Sequence, residues 1–327
     1  AMATASLLQA LDAKGTVPRL TLRDRPFSSY RSLLIDVARQ WHSLDMLKQL
    51  VVLCRLYKVR SLQIHLTDDQ SFTFPSTAYP DLATPGRSYT VQQLEDLNTF
   101  ATQRGVTLVP ELEMPGHSGA MRSRRPDLFG ESSYGCLNMG DEDIYDNLDT
   151  LIGEMLDVFE DTPYFHIGGD ETWLGDIHKS PDTAPALTRW NLNSNGELYL
   201  YFVHQMHLRV QARGKQTLVW EGFHGGGEYG TTGHERELPR DIIVMAWETR
   251  YNPAPNLISE GFTIINAAWR PLYVVGNRRW PASHIYQDWN PWLIMHDQDS
   301  THIQLQETDP VLGTQMCSWE QPGDVQI

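Results

Sequence analysis

Short apolar and β-branched runs recur along the chain at Ser32–Asp36, Ser61–Thr67, Val106–Glu113, Tyr164–Gly168, Gln216–Glu221, Ile242–Trp247, Thr263–Ala267 and Thr314–Trp319. Between most of them apolar residues return every three or four positions, as on one face of a helix. These stretches are Leu44–Tyr57, Val91–Arg104, Glu142–Phe159, Gly196–Arg213 and a short one near Asn256–Glu260. Strand followed by helix, eight strands in all, predicts a parallel (β/α)8 TIM barrel wrapped by helices. The chain stops at Ile327, eight residues after Trp319. The expected last helix has no room, so the barrel is either truncated there or closed by something else. Residues 1–28 read as a short N-terminal extension, a strand or helix on the barrel's bottom, too short for an independent domain. Residues 29–327 read as the catalytic barrel.

Composition narrows the partners. The chain of 327 residues carries 26 basic and 41 acidic residues, a net charge of −15. A nucleic-acid backbone or an anionic membrane calls for a basic patch, so this balance argues against both and suits a neutral or cationic substrate. Three scattered cysteines, Cys54, Cys136 and Cys317, suit neither a disulfide framework nor a metal knuckle and read as reduced structural thiols. No apolar run reaches the ~18 residues of a membrane span. No signal sequence is visible, although Ala1 ahead of Met2 reads as a cloning remnant before which a leader could have been removed. Localisation is left open.

In such a barrel the active site lies at the C-terminal ends of the strands. The residues at or just past each run are Asp36 and Arg39; His65, Asp68 and Asp69; Glu111, Glu113 and His117; His166, Asp170 and Glu171; Trp220 and Glu221; Trp247 and Glu248; Trp269 and Tyr273; Trp319 and Glu320. Polar and aromatic residues gather at one rim. The sharpest segment is Phe165-His166-Ile167-Gly168-Gly169-Asp170-Glu171-Thr172-Trp173. Its glycines allow a tight exit from the strand. Its neighbouring acids repel each other, and burial adds to that, so the pKa of one of them should rise into the range of a general acid. The plainer reading is an Asp-Glu helix cap. Carboxylates on one loop cannot easily flank a sugar at the ~5–5.5 Å spacing of an ordinary retaining glycosidase. Either the nucleophile comes from elsewhere or the substrate supplies it. The aromatic rim favours the second: Trp220, Trp247 and Trp319 with Tyr273 would form a box for a small acyl group, the phenol being its donor. Glu111 and Glu113 alternate along one strand, so one of them is expected inside the barrel in a structural ion pair. His42, His178 and His204 read as surface or interhelical residues. Trp280, Trp289 and Trp292 read as loop packing, with stacking on a leaving-group sugar as the other reading.

From about Tyr30 to Gln321 these residues resemble glycoside hydrolase family 20, the β-N-acetylhexosaminidases. The resemblance is strongest at His166-Ile167-Gly168-Gly169-Asp170-Glu171. It is supported by Arg31 with Leu34-Ile35-Asp36-Val37-Ala38-Arg39, by His65-Leu66-Thr67-Asp68-Asp69-Gln70, and by Pro110-Glu111-Leu112-Glu113-Met114-Pro115-Gly116-His117-Ser118. Val219-Trp220-Glu221 and Met316-Cys317-Ser318-Trp319-Glu320 complete the series in the family's order. The resemblance implies removal of terminal β-linked GlcNAc or GalNAc, with the 2-acetamido oxygen as nucleophile and an oxazolinium intermediate. It implies Glu171 as acid and base, Asp170 holding the acetamido N–H, Tyr273 donating to the acetamido oxygen, and Asp68 with His117 as a relay behind Glu171. Trp220, Trp247, Trp269 and Trp319 would wall the pocket, with His166 also at the substrate, and Arg31 and Glu320 would hold sugar hydroxyls. No cofactor is implied, and the partner is a carbohydrate. The sequence departs from the family at Val275, where relatives often carry Asp; Asn277 is the candidate substitute. Many relatives also carry a separate N-terminal α/β domain, for which this chain lacks room.

Three rivals remain. A disaccharide-releasing enzyme of the lacto-N-biosidase type would share every motif. A non-catalytic sugar-binding barrel would not need the intact acid pair. A metal-dependent barrel hydrolase would draw on His65, Asp68, His117, His166 and Asp170, yet no His-x-His or His-x-x-x-His spacing is present.

Overall fold

The computed structural model describes residues 2–222, 238–249, 252–276, 280–295 and 302–320. Eight parallel strands close into a barrel: β1 (Tyr30–Asp36), β2 (Ser61–His65), β3 (Thr107–Glu111), β4 (Tyr164–His166), β5 (Gln216–Trp220), β6 (Ile243–Ala246), β7 (Thr263–Asn266) and β11 (Val311–Trp319). Three further short strands lie between β7 and β11: β8 (Tyr273–Val275) and a hairpin of β9 (Leu293–Met295) and β10 (His302–Gln304). β2 and β6 are buried at every position, as strands lined by core on one face and helices on the other must be. The barrel closes where β1 pairs with β11, Tyr30 opposite Gly313 through Ile35 opposite Ser318. Closure therefore needs no helix after β11.

The expected helices form at Leu44–Leu56, Val91–Thr102, Asp143–Val158, Asn195–Ala212 and Ala254–Ser259. Local chemistry sets their starts. Ser43 caps Met46 N–H, Thr90 and Gln93 form a reciprocal capping box, and Ser194 caps Glu197 N–H. The N-terminal stretch contains a helix, Met2–Gln9, that contacts Leu44–Leu56. No described helix is long and apolar enough to cross a membrane.

One barrel position is built from two segments. β7 pairs with the first part of β11, at Val311–Thr314, and β8 pairs with its last part, Tyr273 opposite Cys317 through Val275 opposite Trp319. The chain leaves β7 at Asn266, turns, and re-enters the wall at the rim. Tyr273 thus sits in the barrel wall beside Trp319.

Candidate active site

A cavity of about 160 Å³ opens at the C-terminal ends of the strands, lined by Arg39, His117, Asp170, Glu171, Trp247, Trp269, Tyr273, Val275 and Trp319. Its walls are aromatic. The Trp247 ring lies nearly parallel to Tyr273 with centroids 6.4 Å apart, Trp269 packs on Tyr273 at 4.6 Å, and Trp319 at 6.1 Å. The Trp247 indole N–H donates to the Glu221 carbonyl at 2.7 Å, which fixes the ring. Burial holds the Tyr273 phenol well above its usual pKa, so it remains an O–H donor.

The acid pair comes from the turn after β4. Gly168 and Gly169 take φ of 71° and 111°, and a Cβ on Gly168 would collide with the Glu113 carboxylate. Glu171 and His117 also have left-handed backbone, φ 43° and 42°, which costs non-glycine residues energy and recurs at functional sites. Their side chains meet, His117 Nε2 lying 3.1 Å from Glu171 Oε2. The other ring nitrogen, Nδ1, is 3.5 Å from Asp69 and 3.7 Å from Asp68. Asp68 is buried and bridges His65 and Arg39, each at 2.8 Å.

The two acids are treated oppositely. The His117 hydrogen bond holds Glu171 below its usual pKa, against partial burial. Asp170 is pushed up to about 6, by burial and then by the Glu171 and Glu111 charges, with His117 opposing. The half-buried imidazole of His117 lies well above its usual value, because Asp69, Glu171, Asp170 and Asp68 outweigh the desolvation that disfavours its charge. One acid of the pair is raised, as expected, but it is Asp170; Glu171, which the resemblance implies as the acid, is lowered. Both shifts favour a proton on His117 over one on Glu171. Asp170 Oδ1 is buried with no hydrogen-bond partner among the described residues.

Four residues expected at the substrate lie outside the cavity lining. Arg31 lies at the start of β1, its guanidinium held by the carbonyls of Lys58 and Ser28 at the opposite end of the barrel. The arginine at the cavity is Arg39, three residues beyond Asp36 and paired to it at 2.9 Å. Its guanidinium carbon lies 5.3 Å from the centre of the Trp319 ring. Trp220 is fully buried and donates to Glu111 Oε1 at 2.6 Å, packing against Trp319 instead of lining the cavity. His166 points into the barrel, where Gly168 N–H donates to its Nδ1 at 3.0 Å; burial lowers its pKa to about 4 and keeps it neutral. Glu320 is buried 3.5 Å from His42 and does not line the cavity, and His42, read as surface or interhelical, is itself buried.

Glu111 is the interior ion-pair member, 2.9 Å from His65 Nδ1 and bonded by Gln63 at 2.9 Å. Glu113 is buried too, beneath the Gly168-Gly169 turn, and accepts Gly169 N–H at 3.1 Å. Burial, then the charges of Asp170 and Glu111, raise its pKa well above the usual range. Trp289 bonds the Leu293 carbonyl and Trp292 packs edge-on to Phe27, both as loop packing. Val275 lines the cavity, and Asn277 lies outside the described residues. Three groups bring His and carboxylate atoms within reach of one cation: His65–Glu111–Glu113, Asp68–Asp69–His117 and His117–Asp170–Glu171. In each, ligand atoms already serve the contacts described above.

The profile for "Glycosyl hydrolase family 20, catalytic domain" matches residues 28–323. A chitooligosaccharidolytic β-N-acetylglucosaminidase of Bombyx mori is 27% identical over 335 residues, covering 93% of this chain and 55% of the relative. A β-N-acetylhexosaminidase of Cellulomonas fimi is 30% identical over 277 residues, covering 77% and 50%. The chain spans about half the length of these curated relatives. A β-N-acetylhexosaminidase structure from Bacteroides fragilis superposes with a TM-score of 0.80 at 20% identity, covering 97% of this chain and 67% of that one. An exo-β-N-acetylglucosaminidase from Vibrio harveyi, solved with N-acetylglucosamine, gives 0.77 at 23%, covering 97% and 55%. With the profile spanning nearly the whole barrel, from just before β1 to just past β11, the chain belongs to glycosyl hydrolase family 20.

Proposed function

We propose that the chain is an exo-acting β-N-acetylhexosaminidase that hydrolyses terminal β-linked N-acetylhexosamine with retention, using the substrate's 2-acetamido group as nucleophile. The observation that carries this is an aromatic cavity lined by both the Tyr273 phenol and Asp170, a carboxylate whose buried Oδ1 has no hydrogen-bond partner among the described residues. An acetamido group offers one N–H donor and one carbonyl acceptor, and this cavity supplies the complement of both. At about 160 Å³ it is smaller than the ~300–1,000 Å³ of sites for drug-sized ligands, which suits one terminal sugar.

In the first step the acetamido oxygen bonds to C1 while the bond from C1 to the leaving oxygen breaks. Asp170, ionised, accepts the N–H and offsets the positive charge of the oxazolinium ion; Tyr273 orients the attacking oxygen. Glu171 protonates the leaving oxygen, and His117 supplies that proton across the 3.1 Å contact. In the second step water bonds to C1, its proton returns to Glu171, and the acetamido group is released. Asp68 and Asp69 keep His117 charged between turnovers, and Arg39 is the residue for sugar hydroxyls.

Three aryl glycosides with one leaving group test this. Aryl β-GlcNAc and β-GalNAc should turn over while aryl β-glucoside should not. A glucoside cleaved at a similar rate would require a protein nucleophile and would overturn the assignment of Asp170. Full activity in EDTA is expected on this route, whereas loss restored by added divalent metal would favour the metal clusters.

A further inference from the structure

Arg31 lines a second cavity, of about 540 Å³, at the other end of the barrel between the N-terminal segment and the starts of β1 and β2. Four cations face it, Arg25, Arg31, Lys58 and Arg60, against one carboxylate, Asp24. That carboxylate is already engaged: Asp24 Oδ2 accepts from both Lys58 Nζ and Ser6 Oγ at 2.6 Å. The Arg31 guanidinium is held in place by backbone, Nε donating to the Lys58 carbonyl at 3.0 Å and Nη1 to the Ser28 carbonyl at 2.5 Å. Among the described residues nothing bonds its Nη2, and no carboxylate pairs with Arg25, Arg31 or Arg60. Burial, and next the charge of Arg60, lower the Arg31 pKa.

Like charges gathered in one cavity repel, and an anion placed among them removes that cost. In a chain of net charge −15 such a gathering is a local reversal of sign. Charges elsewhere act weakly on it, because at 0.15 M salt the screening length is about 8 Å. The pre-fixed guanidinium of Arg31 keeps its Nη2 donors for an oxygen of a tetrahedral anion, and the other guanidinium groups and an ammonium can take the remaining oxygens. We propose that this cavity is a binding site for a doubly charged oxyanion of the phosphate or sulfate type, as the free ion or as a monoester. It is separate from the sugar cavity and does not depend on the proposed glycosidase activity.

The test is calorimetric titration of the full chain with sodium phosphate, ionic strength held constant with sodium chloride. We expect saturable single-site binding, weakened by about tenfold or more in Arg31→Gln and in Arg60→Gln. Arg60 is exposed, so that variant keeps its fold even if Arg31→Gln, which frees two backbone carbonyls, melts early. Phenyl phosphate distinguishes the source. Affinity equal to that of the free ion assigns the site to an ester, and affinity about tenfold weaker assigns it to the inorganic ion. Absence of saturable heat, affinity unchanged in both variants, or displacement by chloride at equal concentration would overturn the proposal.

Discussion

Asp170 and Glu171 are chemically similar neighbours that the fold assigns to different tasks. Asp170 is enclosed beside other acids, while Glu171 reaches toward the cavity mouth, its side chain 45% exposed and bonded to an imidazolium. The consequence is a pH profile with a definite sign. In the proposed mechanism Asp170 must be ionised, and burial pushes its pKa up to about 6. The kcat/KM of the free enzyme should therefore rise as pH increases through about 6 and fall away below it. If Glu171 were the titrating group, the acid limb would lie below its ordinary value of 4.5, because His117 lowers it. A limb found there would refute the assignment. Tyr273 provides a second check. Replacing it with Phe removes only the donor, and we expect kcat to fall by ~10²-fold or more, as on loss of an oxyanion-type hydrogen bond. A change confined to KM would mean that the phenol binds ground state and transition state equally.

The turn after β4 shows how a strand exit brings two neighbouring acids to the cavity. His166 faces inward and takes Gly168 N–H, Glu113 takes Gly169 N–H from below, and Asp170 and Glu171 follow. Only a residue without Cβ fits at Gly168. Gly168→Ala should cost at least about 1–3 kcal/mol for the left-handed backbone alone, with the clash against Glu113 added. Its melting temperature should fall together with kcat, whereas a variant that melts normally would show that the turn relaxes freely. This turn was legible in the sequence, as were the eight barrel strands and the main helices, because each carries a period or a glycine pair. β8 was not legible as a strand, since three residues between a turn and Gly276 have no period to read. Arg31 and Arg39 flank one strand, and the matching motif spans both; only their position relative to the strand's exit separates them. Of the interior set of Gln63, Glu111, His166 and Trp220, only an acid of the alternating Glu111 and Glu113 pair could be read; its partners could not. Four strands contribute to the set, and its hydrogen bonds exist only once the barrel has closed.

Closure is where the architecture depends on contacts between the chain's most distant strands. β1 and β11 join over six paired positions, and β11 also carries β7 on its lower half and β8 on its upper half. The same strand therefore seals the barrel and aligns Trp319 with Tyr273 and Val275 at the cavity. Gly313 sits at the start of this seam opposite Tyr30, and a Cβ there would overlap the Tyr30 carbonyl, which is backbone and cannot swing aside. Either β11 shifts away from β1 or the residue strains. Gly313→Ala should cost about 3 kcal/mol or more and lower the Tm by roughly 5 °C or more, the range expected of a severe backbone clash. Because the damage is at the seam, amides of β1 and β11 should exchange faster while those of β3 to β5 keep their protection. Turnover should fall as well, since the Trp319–Tyr273 wall moves with β11. Uniformly faster exchange across all strands would show that the barrel opens as one cooperative unit, and that no seam exists as a separate weak point.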